Sequence, residues 1–248
     1  MPTLLLSSRQ TEDAQKLWRA CIAEKWTVLR VHGWQVPDVS PADATVYGEP
    51  LFARHVAQTL KLRLTEPAVD WLPKLPNRWR AREVRLTTLA EARCETAMKF
   101  IKPADEKCFD ARVYSSGAAL PPPGALPDDL PVLVQEVVDW QSEFRCFVLD
   151  RTVVATSSYW RDGEITRSEE GWLSSDPNLE EATRFCERFV GERDVEVATA
   201  VVVDVGIIRD RGWAVLEANA AFSSGIYGCD PVQVLRVLRR VCSVATLN

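Results

Sequence analysis

Three side chains in the last fifth of the chain, Asp204, Glu217 and Asn219, have the types and spacing of a hard-cation site. They fall within ATAVVVDVGIIRDRGWAVLEANAAFSSG, from Ala198 to Gly225. This reads as two strands, Val201 to Ile208 and Trp213 to Asn219. The link Arg209-Asp210-Arg211-Gly212 is polar and ends in glycine, as hairpin loops do. A hairpin symmetric about that link sets Asp204 opposite Glu217. Opposed residues project to one face with Cβ atoms about 5 Å apart. Asn219 lies two positions beyond Glu217 and shares that face. The other face receives Val203, Val205, Ile207, Ala214, Leu216 and Ala218. Two opposed carboxylates repel. A divalent cation with oxygen ligands resolves the conflict, and Mg²⁺ typically takes one or two carboxylates plus substrate phosphates. A one-residue slip of register would separate the three groups, leaving Asp204 at an irregular strand end and Glu217 solvated.

Other candidates lie upstream. Lys102 ends a strand before a polar loop, with Lys107 five residues on. Glu143 and Arg145 share a strand face, so Arg145 either pairs with Glu143 or reaches a phosphate as a bidentate donor. Arg82 and Arg161 are weaker candidates for a phosphate or a substrate carboxylate. His32 and His55 lie far from any Ser or Cys suited to a nucleophilic set.

The elements that must position these groups follow from pattern. Thr3 to Leu6, a helix capped by Thr11 with the stripe Leu17, Trp18, Cys21 and Ile22, and Thr27 to Val31 make a β-α-β opening. This predicts a Rossmann-like lobe without the glycine fingerprint of a dinucleotide site. Leu51 to Leu64 predicts a helix. Asp70 to Arg82, rich in Trp, Pro and Arg, reads as a linker. Arg82 to Cys94 predicts a strand and a short helix, and Ala97 to Lys102 a strand. Leu120 to Pro131 is a proline-rich loop. Val132 to Val138 predicts a strand, Asp139 to Ser142 a break. Phe144 to Leu149 and Val153 to Ser158 form a hairpin around Asp150-Arg151. Helices open at Asp176-Pro177 and at Asp230-Pro231.

Composition sets bounds. The chain has 248 residues, a net charge of −5 and 26% charged residues. That argues against a surface built for nucleic-acid phosphate, though not against a local basic pocket. Seven scattered Cys without a Cys-x-x-Cys, and two His, predict buried reduced thiols and no zinc site. No apolar run is long enough to span a membrane, and the N-terminus does not read as a signal peptide, so a cytoplasmic protein is expected.

Taken in order, Lys102, Glu136, Glu143, Asp204, Glu217 and Asn219 resemble the ATP-grasp superfamily. Glu143-Phe144-Arg145 and the short chain look most like a small clade marked by two arginines and a lysine. The resemblance implies an α/β protein of α+β lobes: an N-terminal Rossmann-like lobe over residues 1–80, then an ATP-grasp core over 81–248, whose lobes cover about 81–138 and 139–248. It implies ATP and Mg²⁺ between those lobes. Lys102 would contact ATP phosphates. Gln135, Glu136, Val137 and Val138 would form the adenine hinge, and Glu143 would hold the ribose. Arg82 and Arg145 join the nucleotide contacts, and Arg145 and Lys102 are the catalytic candidates. The implied reaction joins a small-molecule or peptide carboxylate to an amine, or a thiol, through an acyl phosphate. Tyr114 to Gly117, where a glycine-rich phosphate lid would lie, has one glycine. Two other readings remain open: a nucleotide-binding regulatory module without turnover, and an ATP-dependent enzyme modifying RNA or a protein terminus.

Overall fold

A computed structural model describes residues 1–105, 107–169, 171–172 and 175–244. The chain divides into two compact units. One holds Met1–Pro67, Ser142–Gly206 and Leu216–Asn248; the other holds Ala68–Gln141 and Ile207–Val215.

The N-terminal part of the first unit contains β1 (Thr3–Leu6), α1 (Glu12–Ala23), β2 (Thr27–Arg30), β3 (Ala44–Tyr47), α2 (Pro50–Thr59) and β4 (Leu62–Leu64). β1 is the middle strand of a parallel sheet with β2 and β3. All four of its residues are buried, as expected for a strand flanked on both edges and covered on both faces. Thr11 caps α1, its Oγ1 accepting the Ala14 N–H at 3.1 Å. The apolar stripe of α1 is narrower than its sequence suggested: Leu17 and Cys21 are buried, while Ile22 is exposed. The helix expected to reach Leu64 ends at Thr59. Lys61 turns through the left-handed region, φ 55°, and β4 follows. The strand forms there because its partner lies far along the chain, which no local helical pattern reveals.

The second unit contains α3 (Trp71–Lys74), α4 (Asn77–Arg80), β5 (Val84–Thr88), α5 (Leu89–Ala92), β6 (Lys99–Pro103), β7 (Arg112–Tyr114) and β8 (Pro131–Gln135). The expected linker is therefore two helical turns, held because Trp71, Leu72, Leu75 and Trp79 are buried. The strands form a sheet in the order β5-β8-β6-β7. Ile101, Val132 and Val134 cover one core with Leu89, Tyr114 and Leu120. A Cβ at Gly117 would stand 2.3 Å from the Ala92 carbonyl oxygen. This glycine serves close backbone packing. β8 ends at Gln135, three residues earlier than expected.

The chain continues with β9 (Trp140–Leu149), β10 (Thr152–Arg161), β11 (Glu164–Ile165), β12 (Arg167–Ser168), β13 (Gly171–Trp172), α6 (Leu179–Gly191), β14 (Ala200–Ile208), β15 (Gly212–Asn219), α7 (Pro231–Leu238) and β16 (Cys242–Val244). A five-stranded sheet runs β11-β10-β9-β14-β15, and β16 pairs with β4. The break expected over Asp139 to Ser142 is mostly strand, since β9 begins at Trp140. Asp150 and Arg151 both have positive φ, 47° and 62°, the signature of the tight hairpin turn their position predicted. Asp176 Oδ1 accepts the Asn178 N–H at 2.8 Å, so a side-chain turn precedes α6 and delays its start to Leu179. Asp230 caps α7 through Val232 N–H at 2.9 Å. Leu4, Leu5, Leu6, Phe147, Phe222 and Leu235 belong to the core of the first unit.

Candidate functional site

Asp204 lies on β14 among Val202, Val203 and Val205 and is 0% exposed. A carboxylate so placed needs partners. Asn219 supplies one: its Nδ2 donates to Asp204 Oδ2 at 3.2 Å and to Glu217 Oε1 at 2.8 Å. One amide thus joins the two acids that the sequence pattern set together.

Arg145 supplies the charge. Its Nε donates to Asp204 Oδ1 at 2.9 Å and its Nη2 to Oδ2 at 2.7 Å, while Nη1 donates to the Gly225 carbonyl at 2.9 Å. Of the two roles open to Arg145 from sequence, pairing with Glu143 or reaching a phosphate, neither names its partner here: the guanidinium turns to Asp204. The reason is burial, because Asp204 has no water to share its charge. The Tyr227 and Tyr159 rings stand 4.4 Å and 5.6 Å from the guanidinium carbon. Burial alone would pull the Arg145 pKa down; the Asp204 carboxylate outweighs it and holds the pKa above its ordinary value.

Glu143 accepts the Tyr159 hydroxyl at 2.7 Å. The pairing of β9 with β10 shifts between Ser158 and Trp160, so Tyr159 sits at an irregularity that re-aims its ring. Burial, with Asp204 and Glu143 nearby, raises the Tyr159 pKa and keeps the phenol protonated.

In the second unit, Lys102 lies near the end of β6, opposite Leu133 and half-buried. Lys107 is exposed. Gln135 is buried, and its Oε1 accepts from Arg82 Nε at 3.1 Å and Nη2 at 3.0 Å. Arg82 Nη1 also donates to the carbonyls of Arg80 and Val215, and its guanidinium lies 5.0 Å from the Trp140 ring. The Arg82 side chain is thus committed to ordering the start of β5. Glu136 pairs with Arg211 at 2.6 Å, and its Oε2 accepts the Glu83 N–H at 3.1 Å. That bond with Arg211 holds its carboxyl far below the usual range, at about 2. Val137 and Val138 follow outside the ladder, and among the described residues their backbone groups make no hydrogen bond to protein.

The family model of the ATP-grasp domain, family 2 of the clade marked by two arginines and a lysine, matches residues 79–237. The chain belongs to that ATP-grasp family. The fold agrees. An ATP-grasp RimK domain protein from Sphaerobacter thermophilus is 15% identical over 96% of this chain and 98% of its own, with a TM-score of 0.54. The D-alanine–D-alanine ligase of Bacillus anthracis is 10% identical over 97% of both chains, with a TM-score of 0.57. The ATP-grasp ligase PsnB, complexed with a minimal precursor, is 14% identical over 92% and 93%, at 0.51. No curated protein matches the sequence.

In this ATP-grasp chain the donors around Asn219 fit Mg²⁺ in type. They are two hard carboxylates and an amide that a half-turn about its side-chain bond makes an oxygen donor. Among the described residues no cluster of three or more His, Cys, Asp or Glu could hold a metal, so the amide would have to count as a ligand.

The weaker candidates are placed elsewhere. Arg161 forms an ion pair with Asp176. His55 Nε2 lies 2.8 Å from the Trp34 carbonyl. All seven cysteines are free; Cys94 and Cys108 are exposed, against the expectation of burial. No described helix is long and apolar enough to cross a membrane. Sequence reasoning missed Tyr159, Tyr227 and Arg211. Their partners are set by strand pairing and by the loop over residues 223–228, and only Arg211, within the hairpin link, carried a local signal.

Proposed function

We propose that this protein is an ATP- and Mg²⁺-dependent ligase that joins a carboxylate to an amine or thiol through an acyl phosphate. The observation that carries this reading is the set on β14 and β15: two acids bridged by the Asn219 amide, with Asp204 held by Arg145. Asp204, Glu217 and Asn219 are the metal ligands in this reading, and the metal would neutralise phosphate charge. Lys102 contacts the phosphates as a point charge. Gln135, Glu136, Val137 and Val138 form the adenine hinge; the unladdered backbone at Val137 and Val138 supports that role. Glu136 sets the hinge through Arg211 and Glu83. Glu143 accepts the ribose hydroxyls, with Tyr159 orienting it. Arg82 acts on this site by positioning Gln135.

The substrate carboxylate attacks the γ-phosphate, and ADP leaves. The nucleophile then displaces phosphate. The residues contribute positioning and charge stabilisation, the main terms in phosphoryl transfer. Arg145 acts on this site through Asp204, because its fork is spent on that carboxylate and on the Gly225 carbonyl; in this reading it holds Asp204 in place for the metal. Two named neighbours, a D-alanine–D-alanine ligase and a ligase complexed with a minimal precursor, support small-molecule or peptide substrates. A cytoplasmic setting fits the free thiols.

The test is phosphate release from MgATP with a mixture of amino acids, in wild type and Glu217→Gln. Stimulated release that the variant lacks is the expected result. MgATP binding without release under any carboxylate would favour the regulatory module.

A further inference from the structure

Gln135 ends β8 and is 5% exposed. Across the sheet it stands opposite Val84 on β5 and Phe100 on β6. Lys102 stands opposite Leu133. Phe100 and Lys102 are two residues apart, as are Leu133 and Gln135, so these four side chains project to one face of the sheet. The face that carries the lysine proposed for the phosphates therefore also carries this amide.

The amide is held in one sense. Arg82 Nε and Nη2 both donate to Gln135 Oε1, at 3.1 Å and 3.0 Å. Arg82 is itself buried, and its Nη1 is fixed by the Arg80 and Val215 carbonyls. A half-turn of the amide would set its NH₂ against two N–H donors. Oε1 is therefore spent, and Nε2 remains as a donor only. Among the described residues Nε2 has no protein partner. A polar side chain this deeply placed calls for one.

The backbone after Gln135 sets how a base would lie along it. The Glu136 N–H is spent on the Glu83 carbonyl at 2.9 Å. Residue 136 thus offers a base its carbonyl, which accepts no backbone N–H among the described residues, and the open N–H groups follow at Val137 and Val138. Adenine carries its N6 donor between two acceptors, N1 and N7. With N6 at residue 136 and N1 at the N–H groups beyond it, N7 faces back towards Gln135. We propose that Gln135 donates to N7 of the purine, and that Arg82 is the positioning residue that keeps the amide in that sense. The inference rests on the hinge of the ligase reading and deepens it. Gln135 selects a purine, since a pyrimidine has no N7. The carbonyl at residue 136 then favours adenine, because guanine sets an acceptor, O6, against it.

The test is calorimetry on the full chain with Mg²⁺ and three nucleotides. 7-Deaza-ATP replaces N7 by a C–H group and leaves the Watson–Crick edge, ribose and phosphates unchanged. Wild type should favour ATP over it by about tenfold or more, as expected when a built polar contact loses its partner. Gln135→Met keeps the bulk and removes the donor, so it should bind the two within about twofold of each other. Arg82→Met frees the amide to turn and should reduce the preference. An Arg82→Met protein that melts as a folded chain yet keeps the full preference overturns the role of Arg82. Wild type that binds ATP and 7-deaza-ATP within about twofold overturns the proposal. So does a full preference in Gln135→Met, which would put another donor at N7. Inosine triphosphate keeps N7 and reverses the Watson–Crick edge, so it reports the hinge separately. Affinity equal to that for ATP removes the hinge assignment, and with it the orientation that brings N7 to Gln135. Binding of none of the three removes the ATP-dependent reading itself, and this inference with it.

Discussion

Arg145 and Asp204 meet fork to fork, Nε to Oδ1 at 2.9 Å and Nη2 to Oδ2 at 2.7 Å. Their side chains are 8% and 0% exposed. Removing one partner of such a pair strands a buried charge, at a cost of about 3–5 kcal/mol. Arg145→Met should lose about that much stability in urea unfolding. The double variant Arg145→Met/Asp204→Leu should recover most of it, because no charge is left stranded. A single variant within about 1 kcal/mol of wild type would mean that the pair is not what keeps Asp204 in place.

The Arg145–Asp204 pair changes the expectation for Glu217. Two unneutralised acids would make the ligand-free protein unstable, but Asp204 already has its counter-charge. Glu217→Gln keeps an oxygen acceptor for the Asn219 amide. Its melting temperature without nucleotide should therefore stay close to wild type. Under the proposed function, the extra stabilisation that Mg²⁺ adds to ATP should vanish, since a ligand stabilises only in proportion to its binding. Melts with ATP, with and without Mg²⁺, measure both. A full metal-dependent shift in the variant would remove Glu217 from the metal set.

Much of this was legible in the chain. The hairpin link, the strand patterns and the capped helices are local, and local chemistry sets them. Asp204, Glu217 and Asn219 could be placed together from a hairpin read with a four-residue link; the strands leave only Arg209 to Arg211 between them, and the Asn219 amide still reaches both acids. The ionic partner of Arg145 could not be read, because β9 and β14 become neighbours only through the sheet. β4 was hidden for the same reason, its partner β16 being at the far end of the chain. The helical turns at Trp71 and Asn77 lay behind prolines that look like linker punctuation; the burial of Trp71 and Trp79 decides there.

Lys102 separates phosphate recognition from folding. It lies near the end of β6, and the proposed contact is with a phosphate of ATP. Lys102→Met keeps the aliphatic stem and removes the charge. ATP affinity should fall by about 1.5–3 kcal/mol, the scale of a hydrogen bond to a charged group. Adenosine affinity should hold, because adenosine has no phosphate. Calorimetry with both ligands decides the matter: equal losses would assign Lys102 to the fold.

Glu136 gives a pH-dependent test of the hinge. The bond from Arg211 at 2.6 Å and the Glu83 N–H at 3.1 Å both favour its ionised form. They lower its pKa from 4.5 to about 2. A carboxyl depressed on folding stabilises the fold above its unfolded pKa, and that contribution is lost as pH falls through the folded value. The window therefore runs from about pH 4.5 down to about pH 2. Wild type minus Glu136→Gln stability should be largest near neutrality and should shrink across that window. Arg211 stays charged throughout, so Arg211→Ala should move the loss to higher pH, nearer the unfolded value. Both side chains are partly exposed, at 42% and 31%, so added salt should weaken the effect. Melting curves of the three proteins between pH 2 and pH 7 measure it. A wild-type minus Glu136→Gln difference that stays flat over the whole range would mean that Glu136 is not held by Arg211, and would leave Val137 and Val138 without the anchor that the hinge assignment gives them.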